Sequence, residues 1–85
     1  MIKREYSLIK SDGMHLRPAK ELALIIKGRD VRVVLKKGSE SQEINSPLDI
    51  LSMNIKQNDR MIFEIEGSEE KETSEEIMKY LEKNL

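Results

Sequence analysis

The chain has no cysteine, no tryptophan, one phenylalanine and one histidine among its 85 residues. Without cysteine there is no disulfide framework and no thiol chemistry. One histidine and no cysteine cannot supply the usual ligands of a structural zinc site, so no metal is expected, and no cofactor motif stands in its place. Long apolar runs are missing as well. No stretch approaches the roughly 18 residues of a membrane-spanning helix. The start, Met1-Ile2-Lys3-Arg4-Glu5-Tyr6, turns charged at once, unlike a secretory signal. A cytoplasmic protein is therefore expected, with no membrane insertion. A surplus of either charge is also absent: Lys and Arg number 15 against 16 Asp and Glu, for a net charge of −1. Non-specific nucleic-acid binding needs a basic surplus, so no nucleic-acid partner is expected.

The residues present are 38% hydrophobic and 36% charged. That suffices for one modest core, and a single domain over 1–85 is expected. Residues 2–9 alternate, with Ile2, Tyr6 and Leu8 on one side and Lys3, Glu5 and Ser7 on the other, which reads as a half-buried strand. Arg4 interrupts the apolar side. Lys10-Ser11-Asp12-Gly13 is turn chemistry. The period then changes. Ala19, Leu22, Ala23 and Ile26 fall on one helical face, and Gly28 stops the helix.

Val31, Val33 and Leu35 mark a second strand, Lys37-Gly38-Ser39 a hairpin turn, and residues 40–44 a polar edge strand. Asn45-Ser46-Pro47-Leu48-Asp49 is a helix start. Ser46 would cap, Pro47 would hold the first helical position, and Asp49 stands where a capping box would close. Leu48, Leu51 and Ile55 would give this short helix its apolar side. Met61, Phe63 and Ile65 alternate in a strand over 60–66. Glu69 and Glu70 open a last helix with Ile77, Met78, Tyr80 and Leu81 toward the core. Glu69, Glu70, Glu72, Glu75 and Glu76 read as a solvated face. The order is β-α-β-β-α-β-α, an α+β chain that buries its stripes by laying helices on one face of a sheet.

One stretch concentrates the chemistry. Asp12-Gly13-Met14-His15-Leu16-Arg17-Pro18-Ala19 lies where the first strand pattern ends and the first helix pattern begins. Pro18 suits a first turn, so the helix should open near residues 16–18 with His15 at or beside its N-cap. The first N–H groups of a helix have no intrahelical partner and favour an anion. Arg17 adds a planar cation that grips phosphate oxygens well. A histidine side chain is largely neutral, hence nucleophilic, at neutral pH. Nucleophile, anion cradle and cation within three residues suggest transient phosphorylation of His15. The plainer reading is a surface histidine at a helix cap, with Arg17 a solvated cation and Pro18 purely structural.

Gly13, His15, Arg17, Pro18 and Ala19 resemble the motif Gly-Leu/Ile-His-Ala/Thr-Arg-Pro-Ala of the HPr family. These are the histidine phosphocarriers of the bacterial phosphoenolpyruvate-dependent sugar phosphotransferase system. Met14 is a mild departure and Leu16 a larger one. The resemblance implies an open-faced β-sandwich whose four-stranded antiparallel sheet has the order 1-4-2-3, with three helices on one face. It implies that His15 receives phosphate on Nδ1 from enzyme I and passes it to enzyme II A domains. His15, Arg17 and Pro18 would form the site, with Leu16 and Arg17 at the phosphate. Leu16, Lys20, Pro47, Leu48 and Leu51 would meet partners. The carrier would be a monomer rather than a stand-alone enzyme.

Ser46 falls on the serine that an HPr kinase phosphorylates in some family members. There the surroundings read Lys-Ser-Ile-Met-Gly, whereas here they are Asn45-Ser46-Pro47-Leu48-Asp49. Capping explains Ser46 fully, and Asp49 would repel a phosphate, so regulatory phosphorylation is the lesser reading. Asn54 and Asn58 stand where the family often has glycine, and asparagine tolerates the left-handed geometry. The rival to a carrier is an HPr-like regulatory protein that binds transcription factors or enzymes and does not primarily serve sugar transport.

Overall fold

The computed structural model describes residues 1–85. Its elements are β1 Ile2–Ser7, α1 Leu16–Ile26, β2 Arg32–Lys37, β3 Glu40–Glu43, α2 Pro47–Leu51, β4 Arg60–Glu66 and α3 Glu70–Asn84. The four strands form one antiparallel sheet in the order β1-β4-β2-β3. The expected order and topology are both present.

Alternation sets the register. Val33 faces Ile65 and Leu35 faces Phe63 across β2 and β4, while Tyr6 faces Met61 across β1 and β4. These residues share the face that the helices cover, since side chains two apart on a strand point the same way. Ala19, Leu22 and Ile26 of α1, Ile50 of α2 and Ile77 and Leu81 of α3 complete the core. Each large side chain buried there contributes roughly 1.5–3 kcal/mol. Arg4 lies on the same face, opposite Phe63, yet stays exposed. It sits on an edge strand, where a long side chain can carry its charge out to water.

The other face of the sheet stays open and is laced with ion pairs. Glu64 sits between Lys3 at 3.5 Å and Lys36 at 3.0 Å, Arg32 reaches Glu43 at 2.9 Å, and Arg60 reaches Glu5 at 3.2 Å. Such pairs are worth little individually, but they leave no broad apolar surface there.

Three expectations need correction. β1 ends at Ser7, because the chain leaves β4: the Leu8 N–H donates to the Asp59 carbonyl instead, and Leu8 is buried beyond the strand. In α2 the core residue is Ile50, fully buried, while Leu48 is 72% exposed and Ile55 packs in from the loop beyond the helix. With only five residues, α2 has too few turns for a 3.6-residue period to show its buried side. The acidic run is not uniformly a solvated face. The Glu69 carboxylate accepts from the Asp30 N–H at 2.6 Å, Glu70 reaches back to the Gly67 N–H at 3.1 Å, and Glu76 pairs with Arg29.

The loop after α2 is held by one lysine. Lys37 Nζ donates to the Met53 and Asn54 carbonyls at 3.3 and 2.9 Å and pairs with Asp59 at 3.1 Å. Asn54 and Asn58 take φ of 51° and 74° in that loop, as the family comparison of those positions suggests. The Lys56 N–H and the Lys37 ammonium hold the Asp59 carboxyl below its ordinary range, as neighbours also do for Glu64 and Glu70. A depressed folded-state value means stability that is present above the unfolded value of about 3.9 and is lost as pH falls through the folded one. Urea titrations at pH 7 and pH 3 should therefore show a smaller loss of stability on acidification for Asp59→Asn than for the wild type, with Glu64 and Glu70 supplying the remainder.

Candidate functional site

The site begins with a loop pressed against its neighbour. The Gly13 N–H donates to the Lys10 carbonyl at 3.1 Å and closes the turn, and the Met14 N–H donates to the Ile55 carbonyl at 2.9 Å. Gly13 has φ +69°, and a Cβ there would lie 2.9 Å from the Ile55 oxygen. Glycine thus permits both the turn and the close approach. Met14 is buried and fixes the loop from inside.

His15 then takes extended geometry, φ −125° and ψ −173°, as the N-cap of α1. Its carbonyl accepts the first helical bond, from the Ala19 N–H at 3.1 Å. Its imidazole makes no capping bond and stays exposed. The N–H groups of Leu16 and Arg17 have no partner in the chain, and Pro18, buried at the third helical position, has none to offer. The result is a histidine above two free backbone donors, with no acidic residue in the first turn.

His15, Arg17 and Pro18 line one cleft of about 90 Å³ together with Lys10, Asp12, Tyr80, Asn84 and Leu85. A water occupies about 30 Å³ in the liquid, and small-molecule pockets usually span about 300–1,000 Å³. The cleft is small and accommodates an anion of phosphoryl size. Arg17 forms no ion pair in the chain. Its charge is free for a ligand.

The remaining predicted residues lie outside the cleft. Leu16 is 58% exposed, and only its backbone N–H is placed to meet an anion. Lys20 is exposed on α1, and Pro47, Leu48 and Leu51 lie on α2, which packs beside α1. Ser46 is the N-cap of α2. Asp49 accepts from the Ser46 N–H at 2.9 Å and the Asn45 N–H at 2.8 Å, which is the reach-back of a capping box. The Ser46 hydroxyl lies 3.5 Å from the same carboxylate oxygen.

Sequence reasoning missed two features. Leu24 is 67% exposed on the outer side of α1, two turns beyond Leu16. Its absence from the buried spacing 19-22-23-26 was the available signal. The cleft wall from α3, with Tyr80, Asn84 and Leu85, has no local signature. It arises because the Ile9 and Lys10 N–H groups donate to the Leu85 carbonyl at 2.7 and 3.0 Å, seating the end of α3 beside the loop. No three His, Cys, Asp or Glu side chains gather where they could hold a metal ion.

This fold, with an exposed histidine at the N-cap of its first helix, is that of small histidine phosphocarriers. Solved structures share it. The histidine-containing phosphocarrier protein of Mycoplasma superposes with TM-score 0.88 at 18% identity, over 93% of this chain and 90% of that one. HPr of Thermoanaerobacter tengcongensis gives 0.88 at 20% identity, over 96% and 92% of the two chains. The phosphocarrier HPr of Bacillus anthracis str. Ames gives 0.83 at 19% identity, over 94% and 95%. The family described as "PTS HPr component phosphorylation site" matches residues 2–83, and the chain belongs to the HPr family. A comparison with curated protein sequences gave no significant match.

Gly13→Ala should cost about 1–3 kcal/mol through its positive φ and its contact with Ile55. Gly38→Ala is the control: φ is +58° there as well, but nothing lies within 4 Å of the added carbon. Urea unfolding should place Gly13→Ala clearly below Gly38→Ala.

Proposed function

We propose that the chain is a phosphocarrier of the phosphoenolpyruvate-dependent phosphotransferase system, with His15 as the phosphoacceptor. A neutral imidazole nitrogen attacks the phosphorus held on the phosphohistidine of enzyme I. The donor P–N bond breaks as the new one forms, and the electron pair returns to the donor ring. The group then passes in the same way to an enzyme II A domain. Arg17 and the Leu16 and Arg17 N–H groups would hold the phosphoryl oxygens, while Pro18 sets the helix turn without adding a competing donor.

The single observation that carries this reading is the exposed, unbonded His15 at a helix start with two free N–H groups and an unpaired guanidinium, in a small open cleft. The chain supplies an acceptor and a cradle, and partners supply the rest. Leu16, Leu24, Leu48 and Lys20 stand exposed on α1 and α2 beside it, with Pro47 and Leu51 half-buried, as a docking face for a monomer that binds briefly. Apolar contact with a cationic margin fits an acidic-rimmed partner.

With phosphoenolpyruvate and purified enzyme I, an acid-labile phosphate should appear on the wild type and be absent from His15→Ala. Absence of label on the wild type, with enzyme I from several sources, would overturn the reading and move the weight to a regulatory role.

At Ser46 the reading favours the cap over a regulatory phosphate, because the Asp49 carboxylate already stands against the hydroxyl. Aspartate is ordinarily as good an N-cap as serine. Ser46→Asp should nonetheless lower stability, by about 0.5–1 kcal/mol, through like-charge repulsion from Asp49. Adding Asp49→Asn should remove that difference in a thermal melt.

A further inference from the structure

Arg17 and Glu21 stand one turn apart on α1, at i and i+4. Oppositely charged side chains at that spacing lie within reach of each other. Yet they do not pair. The Glu21 carboxylate instead accepts a hydrogen bond from the hydroxyl of Tyr80, 59 residues away on α3. Tyr80 also lines the cleft that holds His15 and Arg17.

We propose that Tyr80 is a positioning residue for the phosphoryl site: by holding Glu21 on the α3 side, its hydroxyl keeps the Arg17 guanidinium unpaired beside His15. The proposal rests on His15 as the phosphoacceptor. Two things support the arrangement. Burial, and then the hydrogen bond and charge of Glu21, push the Tyr80 hydroxyl up to about 12 against an opposing effect of Arg17. The phenol thus stays a neutral donor at any neutral pH. A released Glu21 would also place a negative charge beside an incoming dianion, so its capture removes both a competitor for Arg17 and a repulsion.

The test is a cycle of Tyr80→Phe, Glu21→Gln and the double variant, since phenylalanine keeps the ring and removes only the hydroxyl. Two readouts are followed. One is the rate of phosphoryl acceptance from phospho-enzyme I. The other, which needs no enzyme I, is binding of inorganic phosphate, titrated through the NMR signals of the His15 ring. Tyr80→Phe should weaken both by about three- to tenfold, the scale of one local ion pair plus one like charge. The double variant should return to within about twofold of the wild type, the scale of one i,i+4 ion pair alone. Phosphate binding by Glu21→Gln should be at least as tight as that of the wild type.

A Tyr80→Phe variant equal to the wild type in both readouts would overturn the proposal. So would a loss that Glu21→Gln does not rescue, since that marks a packing role for Tyr80. Failure of the carrier reading shows separately, as a wild type that takes no phosphate from enzyme I while the phosphate titrations still distinguish the variants.

Discussion

The hydrogen bond from the Met14 N–H to the Ile55 carbonyl ties the site to the fold. It lies one residue before His15 and fixes where α1 begins. The bond can form only because Gly13 lets two backbones come within van der Waals distance. Ile55 in turn is buried, and Lys37 holds the carbonyls of Met53 and Asn54 just before it. The cation on the sheet thus positions the loop, the loop positions Met14, and Met14 positions the helix end. If the site takes a phosphoryl group as proposed, it needs no deep pocket, because its donors are backbone groups that the fold already orients.

The same construction explains why the site is small. On the proposed reading, two N–H groups and one guanidinium would suffice for a phosphoryl anion, with Lys10, Asp12, Tyr80 and Asn84 as the other polar side chains of the cleft. A phosphoryl group held there, as proposed, would stay reachable by a partner from outside. On that reading, partner specificity would reside in the surface around the cleft, where apolar side chains of α1 and α2 are exposed. Leu16 and Leu24 on one helix and Leu48 on the other are large residues left in water, at a cost that packing against a partner would relieve.

Much of this was legible in the sequence because it is local. The start of α1 at His15, the Ser46–Pro47–Asp49 helix start and the 60–66 strand each depend on residues within one turn or one strand of each other. What stayed hidden depends on tertiary neighbours. Ile50 could not be told from Leu48 and Leu51, because a five-residue helix shows no period. Glu69, Glu70 and Glu76 read as a solvated run, yet each has a partner brought in by the fold. The Lys37 clamp joins residues 16 and 17 apart in sequence, and the Tyr80–Glu21 bond joins residues 59 apart.

That last distance bears on how the site could vary while the fold persists. On the proposed reading, the motif around His15 would supply the nucleophile and the cradle whatever lies on α3. The availability of Arg17, on the proposal above, would depend on where the Glu21 charge goes, and Tyr80 on another helix holds that charge. A chain with a neutral residue at position 21 would have no need of a hydroxyl at 80. Here both are present and hydrogen-bonded to each other. The pairing keeps a carboxylate on the helix surface without letting it close the anion site one turn away.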